Sequence, residues 1–198
     1  MILNRRFSHL AASAVVVGCT AGAIGCGGSP SGPSGASGTL NVMLKDSPFS
    51  DAKAVLVTFS EVSAHKDTDA DFTKLPFAGA ATSRTCDLKK LETAQDVLGV
   101  GTMAAGHYTQ VRLLVSSAAL YFDNPSAGDA CSTSIAAPAG ASALLTIPSG
   151  EVKLNREFEV PAGGSTAMLL DFDGDRSIVQ TGTGSYMMRP VIAIVSVK

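Results

Sequence analysis

Residues 167–197 hold two strongly apolar runs on either side of a polar, Gly-bearing bend, and no other stretch of this 198-residue chain constrains the fold as tightly. In the first run Met168, Leu170 and Phe172 alternate with Ala167, Leu169 and Asp171, the period of a strand with one buried face. The second, Tyr186 to Val197, is apolar at nearly every position. That pattern predicts a central strand covered on both faces, with Ile192 and Ile194 in the core. Pro190 interrupts it; a ladder hydrogen bond is missing there, so a bulge or a locally unpaired edge is expected.

Shorter alternating segments lie upstream. Leu40, Val42 and Leu44 mark a first strand that ends at the turn-forming Asp46-Ser47-Pro48. Val55, Val57 and Phe59 keep one phase, and Val62 and Ala64 continue it after a slip of one residue, as a β-bulge would produce. A polar loop over 66–71 and a short run over 72–77 come next. Leu88, Leu91, Ala94 and Leu98 recur at steps of three and four, which predicts one short helix closed by Gly99. Val111, Leu113 and Val115 line a strand opened by Gly106, and 118–122 either extends it or starts another. Residues 126–142 are Ala, Ser, Gly and Pro for the most part and read as a long surface loop. Leu144–Ile147 and Val152–Val160 flank Pro148-Ser149-Gly150 as a hairpin would. The expectation is an all-β, antiparallel β-sandwich of the immunoglobulin or prealbumin kind over 38–198, with eight or nine strands and one short helix.

The start of the chain is of another character. Arg5 and Arg6 precede an apolar, small-residue stretch from Leu10 to Gly25, and Cys26 follows. Basic, apolar and small residues in that order make 1–25 a secretory signal, too short and too rich in Ala and Gly for a spanning helix. Ala23-Ile24-Gly25-Cys26 resembles a bacterial lipobox, in which the cysteine becomes the acylated first residue of the mature protein. Val16-Val17-Gly18-Cys19 fits the same pattern; Cys26 is favoured because a cut there leaves a full apolar region before it and a bare linker after it. Ordinary signal cleavage, or an uncleaved anchor, is the plain alternative. Residues 26–37 form a Gly/Ser tether stiffened by Pro30 and Pro33. A multiply acylated cysteine holds a domain at a membrane surface without spanning it, and Gly27 resembles the signal that passes lipoproteins to an outer membrane.

Charge narrows the partners. The formal net charge is −2, and it becomes more negative once Arg5 and Arg6 leave with the signal. Nucleic acid binding needs a concentrated basic face, so it is excluded as an expectation. Export also bears on the two remaining thiols. Cys86 and Cys131 are an even pair in an oxidising compartment, and a disulfide between them is expected. No CxxC or His cluster accompanies them, which leaves redox and zinc chemistry without support.

Two Asp-x-Asp-x-Asp runs, Asp67, Asp69, Asp71 and Asp171, Asp173, Asp175, are the candidate metal ligands. Closely spaced carboxylates offer hard oxygens to Ca²⁺. Neither run has the Gly at position six and the Glu at position twelve of an EF-hand, and a solvated loop and a strand end explain them without a metal. His65 and His107 sit at strand ends, where surface or structural roles are commoner than a metal site. Arg112, Arg156 and Arg189 interrupt apolar strands; pairing with Glu157, Glu159 or Asp171 is expected, with a carboxylate-binding site as the sharper reading. There is no GxSxG, HExxH or Walker lysine, and Gly99-Val100-Gly101 is no dinucleotide loop because it follows a helical pattern. No catalytic residue is assigned.

Five segments carry a family resemblance: GTLNVMLKDSP at 38–48, VTFSEVSAHK at 57–66, AGHYTQVRLLV at 105–115, IPSGEVKLNREFEVPAG at 147–163 and LDFDGDRSIVQTGTGSYMMRPVI at 170–192. In this order they resemble the bacterial domain of unknown function numbered 4382, over nearly all of 38–195. The loop at 124–142 and the absence of Trp depart from that pattern. The resemblance implies an exported, often lipid-anchored protein and brings no catalytic residues with it. The expected function is a lipid-anchored envelope module for binding, adhesion or scaffolding, with a protein or carbohydrate partner, no cofactor and no enzymatic activity. The alternative is an envelope hydrolase, or a Ca²⁺-dependent binder, built on Asp171, Asp173 and a histidine.

Overall fold

Alternation sorts the side chains of nearly every long strand into an inner and an outer row. A computed structural model describes residues 35–47 and 49–198. Cys19, Cys26, the whole of the expected signal over 1–25 and most of the tether lie outside these residues. In chain order the first elements are β1 (Ser37–Ser47), β2 (Ala54–Lys66), β3 (Phe72–Leu75), β4 (Arg84–Asp87), α1 (Leu88–Leu91) and β5 (Asp96–Ala104). Then come β6 (Gly106–Tyr121), β7 (Cys131–Ser132), β8 (Ser142–Thr146), β9 (Glu151–Val160) and β10 (Ser165–Asp173). The last are α2 (Gly174–Ser177), β11 (Ile178–Gly182), β12 (Ser185–Met188) and β13 (Ile192–Val197).

The described residues are all-β, with two sheets. The smaller runs β13-β10-β1-β5, and the larger runs β11-β12-β8-β6-β2-β4-β7 with β3 added to β2 and β9 to β6. In the larger sheet β2 and β6 pair along almost their whole lengths. Each takes two short partners in succession on its outer flank: β4 then β3 along β2, β9 then β8 along β6. The expected bulge in β2 is present as register shifts around Phe59. It returns Val62 and Ala64 to the buried row that Val55, Val57 and Phe59 begin. Inward residues of both sheets, among them Leu40, Val42 and Leu44 of β1 and Met168, Leu170 and Phe172 of β10, join one apolar cluster.

Several expectations are corrected. The sheets are mixed, not antiparallel, since β1 pairs with β10 and β12 with β8 in parallel. Among the described residues thirteen strands replace eight or nine, because long alternating segments are flanked by pieces too short to show a period, and two four-residue helices replace one. The helix expected to reach Gly99 stops after Leu91, and Leu98 lies in β5. Pairing with β1 overrides the helical spacing there. Gly99 and Gly101 serve close packing instead of helix closure: a Cβ on Gly101 would stand 2.7 Å from Pro76 Cδ. The β8 and β9 segments form no hairpin with each other but add to the same edge of β6.

The largest correction concerns 186–197. It is not a central strand. Pro190, which has no N–H, divides it: β12 before the break belongs to the larger sheet, and β13 after it is an edge of the smaller one. Its continuous apolarity comes from serving two sheets in turn. Ile192 and Ile194 pack on the core but are only half-buried, and Val195 is 52% exposed. The organising strands are β2 and β6 in one sheet and β1 and β10 in the other.

Candidate functional site

The alternation of β1 continues one step further than its apolar residues. Gly38, Leu40, Val42 and Leu44 form its buried row, and Asp46 takes the next inward position. Only 4% of Asp46 is exposed. It lines an open cleft of about 460 Å³ between the end of β1 and the segment that leaves α1. Lys45 and Asp46 form one wall, Leu91 and Glu92 the other, and the exposed residues 93–95 the rim.

What sets Asp46 apart is the lack of donors. Neither carboxyl oxygen has a hydrogen-bond partner of ordinary geometry, although the Gly174 amide lies close enough to favour ionisation slightly. Asp87, equally buried, shows the usual solution. It caps α1, accepting from Val55 N at 3.0 Å, Lys89 N at 3.1 Å and Ser126 Oγ at 2.6 Å. Burial pushes Asp46 up to about 8, and the charges of Glu92 and Asp171 add to this; Lys89 opposes it. At neutral pH the group is therefore largely protonated. The surrounding charges are themselves paired: Lys45 Nζ meets Asp171 Oδ2 at 2.7 Å, and Lys89 Nζ contacts Glu92 Oε1 while donating to Phe49 O at 2.6 Å. The Asp46 carboxyl holds at neutral pH a proton that an ordinary aspartate has lost, and although the residue lines the cleft both of its oxygens are closed to solvent.

The acidic runs singled out from the sequence are placed otherwise. Asp171 and Asp173 share the outer face of β10, yet Asp171 is engaged by Lys45 and by Ser47 Oγ at 3.1 Å. Asp173 caps α2 through Arg176 N at 3.0 Å, and Asp175 is exposed on that helix. Asp67, Asp69 and Asp71 occupy an exposed turn and the residue before β3. Among the described residues no group of three or more His, Cys, Asp or Glu is arranged to hold a metal ion.

The histidine needed for a hydrolase built on Asp171 and Asp173 does not join them. His107 Nδ1 lies 2.7 Å from Glu159 Oε1 across the β6–β9 pair. That hydrogen bond holds its imidazole above the ordinary value. His65 lies tilted against Phe72, with ring centroids 5.0 Å apart, and its Nδ1 is 3.4 Å from the Thr109 hydroxyl. Arg112 pairs with Glu61 at 2.9 Å and Glu151 at 3.5 Å, not with the acids expected for it, and its guanidinium lies 4.2 Å over the Phe72 ring. Burial alone would raise Glu61, but hydrogen bonds from Lys74, Arg112 and Ser63 outweigh it and hold the carboxyl below its usual value.

The expected disulfide is present. Cys86 of β4 and Cys131 of β7 are register partners, and both are buried. No helix among the described residues is long and apolar enough to cross a membrane.

No curated protein and no solved structure matches this chain. A family model described as "Domain of unknown function (DUF4382)" matches residues 37–190, more than half of the sequence and all but the last strand of the two-sheet fold. The chain belongs to the DUF4382 family.

Proposed function

We propose that this protein is an exported, lipid-tethered binding module of the bacterial cell envelope, held at the outer membrane through Cys26. The observation that carries the reading is the buried Cys86–Cys131 bridge, since such bonds persist in oxidising compartments outside the cytosol. The basic, apolar, cysteine order of 5–26 and the Gly/Ser tether after it support the same address. We infer a sandwich arrangement of the kind used by immunoglobulin- and prealbumin-like domains, because both sheets feed one apolar cluster.

Recognition of a protein or carbohydrate partner is supported by a second cleft of about 250 Å³ on the larger sheet. The hydroxyls of Thr58, Thr85, Ser117 and Ser134 surround an apolar floor, beside Leu144, which is 83% exposed. Hydroxyls over an apolar floor suit a ligand with one polar and one apolar face.

Labelling of cells with an alkyne fatty acid tests the tether. Label on the wild type, its loss in Cys26→Ser and recovery of the protein with outer membranes are expected. Loss of label in Cys19→Ser instead moves the anchor to that residue, and unlabelled soluble protein overturns the reading.

A further inference from the structure

We propose that the cleft on the larger sheet binds an extended, uncharged glycan chain laid across the strands along a row of hydroxyls; this rests on the reading of the protein as a binding module and names the chemistry of its partner. The row comes from strand register. Ser117 of β6 stands opposite Thr58 of β2, Thr58 opposite Thr85 of β4, and Thr85 opposite Ser132 of β7. Register partners point to the same face of a sheet and neighbouring strands lie about 4.8 Å apart, so these four hydroxyl-bearing residues form one line roughly 14 Å long. Two positions further along the strands, Leu56, Ala119 and Leu144 are register partners in the same way and make a parallel apolar line. Leu56 and Ala119 are its buried floor, and Leu144 rises from it 83% exposed. Ser134 and Ile135, just beyond β7, also line the cleft.

The chemistry of the lining selects the ligand. Among the described residues none that lines the cleft carries a charge, so an anionic headgroup, a uronate or a peptide terminus would lose hydration there without meeting a counter-charge. Recognition of a peptide backbone is closed as well. Around Thr58 and Thr85 the strands are paired on both sides, β2 by β6 and β4, and β4 by β2 and β7, so their N–H and C=O groups are spent in the ladders and no free edge remains for an added strand. Side chains alone face the ligand, and their polar groups are all hydroxyls, each one donor and two acceptors. Thr58 Oγ1 and Thr85 Oγ1 lie 3.0 Å apart; their mutual bond uses one proton of the two and leaves the other, with free lone pairs, for a ligand. A sugar chain carries the same mixture of donors and acceptors along its edge, with an apolar C–H face beside it. The strand spacing is close to the length of one residue of an extended β-linked chain, so successive rings meet successive hydroxyls.

The test is amide NMR titration of the ¹⁵N-labelled full chain with cellohexaose, xylohexaose and chitohexaose, all neutral β-linked chains, beside a galacturonate oligomer and an uncharged Ala/Ser peptide. At least one neutral chain should shift the Thr58, Thr85, Ser117 and Leu144 amides saturably, and the uronate and the peptide should not. Thr58→Val/Ser117→Ala, which removes neighbouring hydroxyls of the row, should raise Kd about tenfold. Leu144→Asp, which puts a charge on the exposed rim, should raise it as well. Melting temperatures show that each variant folds, and Thr181→Ala, on β11 outside the cleft, should bind as wild type does. The proposal is overturned if none of the neutral chains binds, if their shifts map elsewhere, or if the folded cleft variants bind as wild type does. Shifts at the cleft from the peptide alone would make it a protein site and equally overturn the glycan. These outcomes leave the Cys26 label untouched, so failure here does not remove the tethered module, and unlabelled soluble protein does not remove the glycan site.

Discussion

Cys86 and Cys131 stand opposite one another on β4 and β7, their Cα atoms 4.0 Å apart and their sulfurs joined across a sequence separation of 45 residues. The two-residue strand β7 has few other means of staying in the sheet. Besides its two-residue pairing with β4, its ties include Cys131 N donating to Asp96 at 3.1 Å and, one residue earlier, Ala130 O accepting from Asp87 N at 2.7 Å. Reduction should therefore release the 123–141 segment first and lower global stability by about 4 kcal/mol in the loop-entropy account. Non-reducing peptide mapping checks the link, and denaturant melts with and without reductant check its effect. Two free thiols in freshly isolated protein, or coincident melts, would contradict it.

Position in the smaller sheet should govern the cost of truncation. Leu170 is fully buried on β10, between β1 and β13, so Leu170→Ala should cost about 3–5 kcal/mol. Ile194 pairs with Leu170 from the edge strand and is half-buried, so Ile194→Ala should cost about 1–2 kcal/mol. Urea midpoints of the two variants compare them directly, and equal losses would restore 186–197 to the centre of the fold.

Glu61 links the acid limit of stability to the β2–β6 pair. Its carboxyl is held below the ordinary value in the folded state. It therefore contributes stability above that ordinary value and loses it as pH falls through the lower, folded one. Glu61→Gln should flatten the acid side of the stability profile and cost about 1–3 kcal/mol at neutral pH, since Arg112 and Lys74 lose the negative charge they share. An unchanged acid slope would remove Glu61 from this role.

Much of the inner row is legible in the sequence. Met168, Leu170 and Phe172, the first strand and the slip at Phe59 all follow from period two, because one face of each strand is buried. What could not be read was which sheet a strand joins. Tyr186 to Val197 looks like one strand covered on both faces, yet Pro190 hands it from one sheet to the other. Leu88 to Leu98 carries a helical spacing that pairing with β1 cancels after one turn. Asp46 was legible in principle. It continues the phase of Leu40, Val42 and Leu44, but its place in an Asp-Ser-Pro sequence reads as a turn, and turn chemistry masks an inward-pointing carboxylate. Glu92 carried no signal at all, because only the tertiary fold brings it to Asp46.

Asp46 should also tilt the alkaline side of the stability profile. Its folded value lies above its ordinary one, so between about 4 and about 8 the native state holds a proton that the unfolded chain has lost. Stability therefore declines as pH rises through that window. Asp46→Asn removes this slope and should leave the variant more stable than wild type by about 2 kcal/mol above the window, less than the full shift implies because protein dipoles relax around the charge. Chemical denaturation at a series of pH values measures the difference, and parallel profiles for the two proteins would contradict it.

The central claim is that β1 ends on a buried carboxyl without side-chain partners in the wall of a cleft, and a carboxyl-carbon NMR titration of ¹³C-labelled protein tests it most directly. Assigned through its loss in Asp46→Asn, the Asp46 signal should titrate far above the other aspartates, near 8. A midpoint in the ordinary carboxylate range, near 4, would show that Asp46 is solvated or partnered and would contradict the account.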